Sequence, residues 1–112
     1  AIREAIASAV AYISERFRYP MSLEDLAAHA AISPYYFTRV FRQETGVTPH
    51  QYLINTRLAN AKFLLRTTED SVKDIAINTG WGSESTFCTA FRKAGGMTPS
   101  AYRKRKLYDK ES

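Results

Sequence analysis

The residues of this 112-residue chain with the plainest chemical consequence lie in two short stretches fifty positions apart. Tyr35, Thr38, Arg39 and Arg42 follow one another at steps of three, one and three, and Ser85, Cys88, Thr89 and Arg92 repeat the same spacing. At 100° per residue each set takes one side of a helix. Phe37, Val40 and Phe41 fall on the other side of the first helix, and Phe87, Ala90 and Phe91 on the other side of the second. Tyr36 sits at the border between the two sides. A phenol, a threonine and two guanidinium groups on one solvated face can donate to guanine acceptors, touch a thymine methyl and pair with phosphate oxygens. The second face offers shorter and less charged groups for the same kinds of contact.

Such faces need helices to carry them, and helical periodicity runs through the whole chain. No Val/Ile/Thr-rich run bounded by turns suggests a strand. Ile2, Ile6, Val10, Ile13 and Phe17 form one stripe of a first helix, which Tyr19-Pro20 stops. Six further starts follow, each a hydroxyl ahead of a helix-compatible proline or a first-turn acid: Ser22, Ser33, Thr48, Ser71, Ser83 and Thr98. Gly46 and Gly96 sit where a helix would end in a left-handed residue. The expected fold is all-α, with seven helices.

Comparing the chain with itself shows a duplication. Ser22, Asp25, Leu26 and Ala27 match Ser71, Asp74, Ile75 and Ala76 at an offset of 49. Phe37, Phe41, Arg42, Gly46, Thr48, Pro49 and Tyr52 match Phe87, Phe91, Arg92, Gly96, Thr98, Pro99 and Tyr102 at an offset of 50. Each copy has a short helix, a turn of about four residues and a second helix of about eleven, the proportions of a helix-turn-helix. In the turn of the second copy Gly80 suits a positive φ, and Trp81 mirrors Ile32 as an apolar plug. Between the copies, Ile54, Leu58, Ala61 and Leu65 mark one stripe of a helix that at ~1.5 Å per residue is roughly 27 Å long. The expected organisation is a first helix-turn-helix subdomain over 1–47, a linker helix over 48–66, and a second subdomain over 67–112 that ends in the basic run Arg103, Lys104, Arg105, Lys106.

The stretch Ser-Pro-Tyr-Tyr-Phe-Thr-Arg-Val-Phe-Arg-Gln-Glu-Thr-Gly-Val-Thr-Pro-His-Gln-Tyr (33–52), together with Gly-Trp-Gly-Ser-Glu-Ser-Thr-Phe-Cys-Thr-Ala-Phe-Arg-Lys-Ala-Gly-Gly-Met-Thr-Pro-Ser-Ala-Tyr-Arg (80–103), resembles the DNA-binding domain of AraC/XylS-type bacterial transcription regulators. The resemblance implies two helix-turn-helix units joined by a long helix and bound as one module to an asymmetric promoter site. Recognition helices at about 34–45 and 83–94 would enter successive major grooves, whose centres repeat every ~34 Å. On this reading Tyr35, Thr38, Arg39, Ser85, Cys88 and Thr89 read bases. Arg42, Arg92, Lys93 and Arg103 bind phosphate, as do the helix starts at Ser22, Ser33, Thr48, Ser71 and Thr98. One position departs from the family pattern. Where the second recognition helix commonly carries Ser-Tyr-Phe-Ser-Arg, this chain has Ser85-Thr86-Phe87-Cys88-Thr89, so Thr89 stands in place of arginine and most specificity is assigned to the first unit.

Composition agrees with a polyanionic partner. The chain holds 16 Lys and Arg against 11 Asp and Glu, a formal charge of +5, and 13 of the 16 cations lie beyond residue 30. Double-stranded DNA is the expected partner and RNA polymerase the expected protein contact. The lone Cys88 allows no internal disulfide, and His29 and His50 have no companions at ligand spacing, so neither metal nor cofactor is expected. No apolar run approaches the roughly 20 residues of a membrane span and no signal peptide opens the chain, so a cytoplasmic location is expected. A start at Ala1 rather than Met fits a fragment whose parent would dimerise, if at all, through a missing upstream domain. No Gly-rich phosphate loop, catalytic triad or ligand cluster points to an enzyme. The alternative weighed against DNA binding is a helical protein-interaction module that contacts the transcription machinery and touches DNA weakly. Such a module would expose an apolar centre, which Tyr35, Thr38, Arg39 and Arg42 do not supply.

Overall fold

A computed structural model describes the backbone of residues 1–111 and the side chains of residues 1–105. Among the described residues there are seven helices and no strand: α1 (Ile2–Arg16), α2 (Leu23–His29), α3 (Pro34–Thr45), α4 (Pro49–Thr67), α5 (Val72–Asn78), α6 (Glu84–Gly95) and α7 (Pro99–Glu111). All six hydroxyls read as helix starts act as caps. Each accepts the backbone N–H three residues on: Asp25 to Ser22, Tyr36 to Ser33, Gln51 to Thr48, Asp74 to Ser71, Thr86 to Ser83 and Ala101 to Thr98, at 3.0 to 3.4 Å. At Ser22 the bond is returned, since the Ser22 N–H donates to the Asp25 carboxylate at 3.0 Å. These caps move the expected 83–94 and 48–66 helices on by one residue, because Ser83 and Thr48 stand before the first helical residue and not within it. Gly46 and Gly96 close α3 and α6 in the left-handed region at φ +86° and +78°.

The chain divides into two compact units, Ala1–Thr56 and the residues from Arg57 onward. In the first, α1 contributes Ile6, Ala9 and Ile13, α2 Leu26 and Ala27, and α3 Phe37, Val40 and Phe41, with Leu53 added from the start of α4. Leu53 is the buried residue there, and the expected Ile54 is only half-buried. Ile2, the expected head of the first stripe, is exposed, and Ala9 takes a place in the core that the stripe did not include. In the second unit Leu58, Ala61 and Leu65 of α4 are buried, as are Ile75 and Ala76 of α5 and Phe87 and Phe91 of α6. Ala90, expected in that core, is half-buried.

The repeat is deeper than two helices. Leu58, Ala61 and Leu65 reproduce Ile6, Ala9 and Ile13 at an offset of 52, so each unit is a three-helix core whose opening helix also belongs to the duplication. An aromatic ladder stiffens both copies. Phe37 meets Phe41 at 5.4 Å between ring centroids, and Phe41 meets Tyr52 edge-on at 5.5 Å. Phe87 meets Phe91 at 5.6 Å, and Phe91 meets Tyr102 edge-on at 5.5 Å.

The turns after α2 and α5 also coincide. The N–H of Ile32 donates to Ala27 O at 3.1 Å and that of Trp81 to Ala76 O at 3.0 Å. In both turns the residue before this donor adopts positive φ, Ala31 at +60° and Gly80 at +95°. Trp81 is only 8% exposed, packs on Phe87 at 5.7 Å, and buries an indole N–H that has no acceptor among the described residues. Its counterpart Ile32 is half-buried. Of the two histidines, His29 stacks on Tyr12 at 4.6 Å, and Arg16 lies over the rings of both Tyr12 and Tyr19.

Candidate nucleic-acid interface

In the first unit the α3 face is fixed from beneath by Phe37, Val40 and Phe41, which leaves its other side to solvent. Tyr35 is 81% exposed, and Arg39 and Arg42 are exposed. Thr38 is half-buried and its hydroxyl donates to Pro34 O at 3.0 Å, so it offers a base its oxygen lone pairs and its methyl. Together with Leu23, Pro34 and Gln43 these residues line a groove of about 610 Å³. Gln43 was absent from the sequence reading, although 40° from Arg39 on the helical wheel was signal enough. An ion pair joins Arg3 to Glu44 at 3.7 Å, and no described carboxylate pairs with Arg39 or Arg42. Two guanidinium groups thus stand beside an exposed phenol with no carboxylate paired to either among the described residues.

The second unit builds a different face on the same scaffold. Ser85, Thr89, Arg92 and Lys93 are exposed and Cys88 is half-buried. Burial, and then the charge of Glu84, pushes the Cys88 thiol above its ordinary range, so at neutral pH it is an uncharged, weakly polar group. The hydroxyl of Ser83 is shared between the Thr86 N–H and the Thr86 hydroxyl, to which it donates at 2.9 Å.

The hydroxyls of Ser22, Ser33, Thr48, Ser71 and Thr98 are spent on their own helices. What those starts retain for an anion is the remaining first-turn N–H groups and the positive end of the helix dipole. Arg103, expected to bind phosphate, also makes hydrogen bonds within the fold. Its Nε donates to Leu65 O at 3.1 Å and its Nη2 to Thr68 O at 3.3 Å, half-buried against the end of α4. The last carbonyls of a helix lack intrahelical donors and carry partial negative charge, which is why a cation from α7 settles there. Nearby, Arg66 Nη1 donates to the Tyr102 hydroxyl at 3.1 Å. Lys104 and Arg105 are exposed on α7, and the Lys106 side chain lies outside the described residues.

Two helix-turn-helix units, each turning a polar helix face to solvent, define the class as a paired helix-turn-helix domain. A family profile described as a helix-turn-helix domain matches residues 26–105. The chain is 36% identical over 103 residues to the regulatory protein SoxS of Escherichia coli K12, covering 92% of this chain and 96% of SoxS. It is 36% identical over 95 residues to the regulatory protein PocR of Salmonella typhimurium, covering 85% of this chain and 31% of PocR, so it spans about a third of that relative's length. The solved DNA-binding domain of AdpA, a global transcriptional factor in complex with a target DNA, matches with a TM-score of 0.91 and 34% identity over 96% of both chains. The chain belongs to the AraC/XylS-type helix-turn-helix family and is a sequence-specific DNA-binding domain of transcription regulation. No helix among the described residues is long and apolar enough to cross a membrane.

Proposed function

We propose that α3 and α6 each lie in the major groove of double-stranded DNA, with Tyr35, Thr38 and Arg39 contacting base edges in one part of the site and Ser85, Cys88 and Thr89 in the other. Arg42, Arg92 and Lys93, with the first-turn N–H groups behind Ser22, Ser33, Thr48, Ser71 and Thr98, hold phosphates and set the register. The observation that carries this reading is the α3 groove, where Arg39 and Arg42 stand exposed beside Tyr35 with no carboxylate paired to either among the described residues. A guanidinium in that position matches guanine O6 and N7 with two parallel hydrogen bonds. The AdpA domain, similar along nearly its whole length, is a DNA-bound structure, which supports the same use of this fold here. The reading makes the chain a cytoplasmic binding module with no catalytic step of its own, and membership in a family of transcription regulators supports RNA polymerase as the protein it meets on the promoter.

The test is a pair of variants measured on a panel of duplexes with single base-pair changes. Arg39→Ala is expected to lose about 1–3 kcal/mol on the preferred duplex and to flatten the preference at one base pair. Arg92→Ala is expected to weaken binding to every duplex alike and to lower the slope of log affinity against log salt by about 1. A uniform loss for Arg39→Ala would remove it from the base-reading set.

A further inference from the structure

The four outward positions of α6 match those of α3 at an offset of 50: Ser85 for Tyr35, Cys88 for Thr38, Thr89 for Arg39 and Arg92 for Arg42. Only the last retains its charge. Over the turn that holds Ser85, Cys88 and Thr89, the α6 face has no cation, no aromatic ring and no side chain longer than three heavy atoms beyond Cα. Ser85 lies three residues before Cys88 and four before Thr89, so the three side chains are neighbours on one patch.

Short side chains let a helix backbone come close to the groove floor, and they leave methyl and thiol surface as the chemistry presented there. The thiol remains protonated, because burial and the Glu84 carboxylate both oppose its ionisation. Glu84 adds an acceptor in the first turn of α6. Guanine presents two acceptors, N7 and O6, to the major groove; the Ser85 and Thr89 hydroxyls carry one O–H each, so no side chain at this end of the face matches both acceptors at once as a guanidinium does, and the Glu84 carboxylate sets like against like. Of the groups displayed in that groove, the thymine 5-methyl is the one that a threonine methyl or a thiol matches by van der Waals contact.

We propose that α6 reads its part of the bound duplex chiefly through thymine 5-methyl groups, contacted by the Thr89 methyl and the Cys88 sulfur, with Ser85 adding a hydrogen bond at the neighbouring base. This rests on the placement of α6 in the major groove. The preferred duplex is then asymmetric in chemistry as well as in sequence: α3 selects a guanine-bearing segment and α6 a thymine-bearing one.

The experiment begins by selecting preferred duplexes from a random pool with the 112-residue chain and, in parallel, with its Thr89→Arg variant. The segment whose selected sequence changes between the two is the one α6 reads. Deoxyuridine, which lacks only the 5-methyl, then replaces thymine in that segment or in the segment read by α3. Removing one contacted methyl is expected to weaken binding about fourfold, the equivalent of about 0.8 kcal/mol per buried carbon. The same replacement in the α3 segment is expected to have less effect. Thr89→Val keeps the methyl and loses the hydroxyl, so it should preserve the preference for thymine over deoxyuridine, whereas Thr89→Ser should reduce it. A preferred duplex indifferent to deoxyuridine in the α6 segment, or a preference kept by Thr89→Ser and lost in Thr89→Val, overturns the inference and leaves the major-groove reading standing. A pool that yields no preferred duplex overturns both.

Discussion

Phe41 meets Tyr52 at 5.5 Å in the first unit and Phe91 meets Tyr102 at 5.5 Å in the second, yet two residues before each of those phenylalanines the chain sets Arg39 against Thr89. The buried halves of the two units have stayed alike and the solvated halves have not. The reason is physical. The middle ring of each ladder touches a ring on both sides, so a change there must be answered by changes in its neighbours, since interiors are close-packed and feel the loss or gain of a single methylene. An outward residue on α3 or α6 touches water and a ligand, and can be exchanged without asking anything of the core. Duplication therefore yields two copies of one skeleton that are free to carry two different reading faces.

The largest effects should come from breaking the shared half. Phe41→Ala and Phe91→Ala each remove a ring that is at most 2% exposed and stands between two other aromatics. Each is expected to cost about 3–5 kcal/mol. Amide exchange followed residue by residue should show protection falling in the unit that carries the change. Losses of similar size would support the equivalence of the ladders. A much smaller cost for Phe91→Ala would mean that the second copy is held together elsewhere, with Trp81 on Phe87 the first place to look.

A second test sharpens the comparison at a cation. Arg103 binds two carbonyls at the end of α4, whereas Arg92 is exposed on α6 with no carboxylate partner among the described residues. Arg103→Ala is expected to destabilise the second unit by about 1–3 kcal/mol, the range for hydrogen bonds made by a charged group discounted for partial exposure, and to leave the salt dependence of DNA binding unchanged. Arg92→Ala should do the reverse. Thermal unfolding and binding titrated against salt measure the two quantities separately. A salt slope lowered by Arg103→Ala would return that guanidinium to the phosphates.

Much of the fold was legible because the signals that start and stop a helix are local. Ser22, Ser33, Thr48, Ser71, Ser83 and Thr98 each satisfy an N–H three residues away, and a reader of the chain needs no tertiary knowledge to place them. The outward side of α3 and α6 was legible for the same reason, since the helical wheel needs only the spacing of the phenylalanines. What stayed hidden depends on neighbours distant in sequence. The hydrogen bonds of Arg103 go to carbonyls more than thirty residues earlier, and its place in a run of four cations announces only its charge. The part of α1 in the duplication was masked because its offset is 52, against 49 and 50 for the rest, and because Ile, Ala and Ile have become Leu, Ala and Leu. Leu53 and not Ile54 enters the first core because Ile54 continues the row of Leu58, Ala61 and Leu65 from the second half of α4, while the first half turns a neighbouring row of side chains inward.

The smallest of these effects tests the skeleton at its one visible point of conflict. Ala31 and Gly80 occupy the same place in the two turns, with φ +60° and +95°, and the N–H of the next residue closes the turn in both. A left-handed conformation costs a residue with a Cβ about 1–2 kcal/mol, whereas glycine adopts it freely and instead loses about 0.5–1 kcal/mol more on ordering. The Ala31 methyl is exposed and gains no packing to offset its strain. Ala31→Gly should therefore raise the stability of the first unit by about 0.5–1 kcal/mol, and Gly80→Ala should lower that of the second by at least as much. Urea unfolding with amide exchange on each unit reads both numbers. If Ala31→Gly destabilises, the turn in the first copy is shaped by something other than the backbone geometry it shares with the second, and the equivalence of the two turns is superficial.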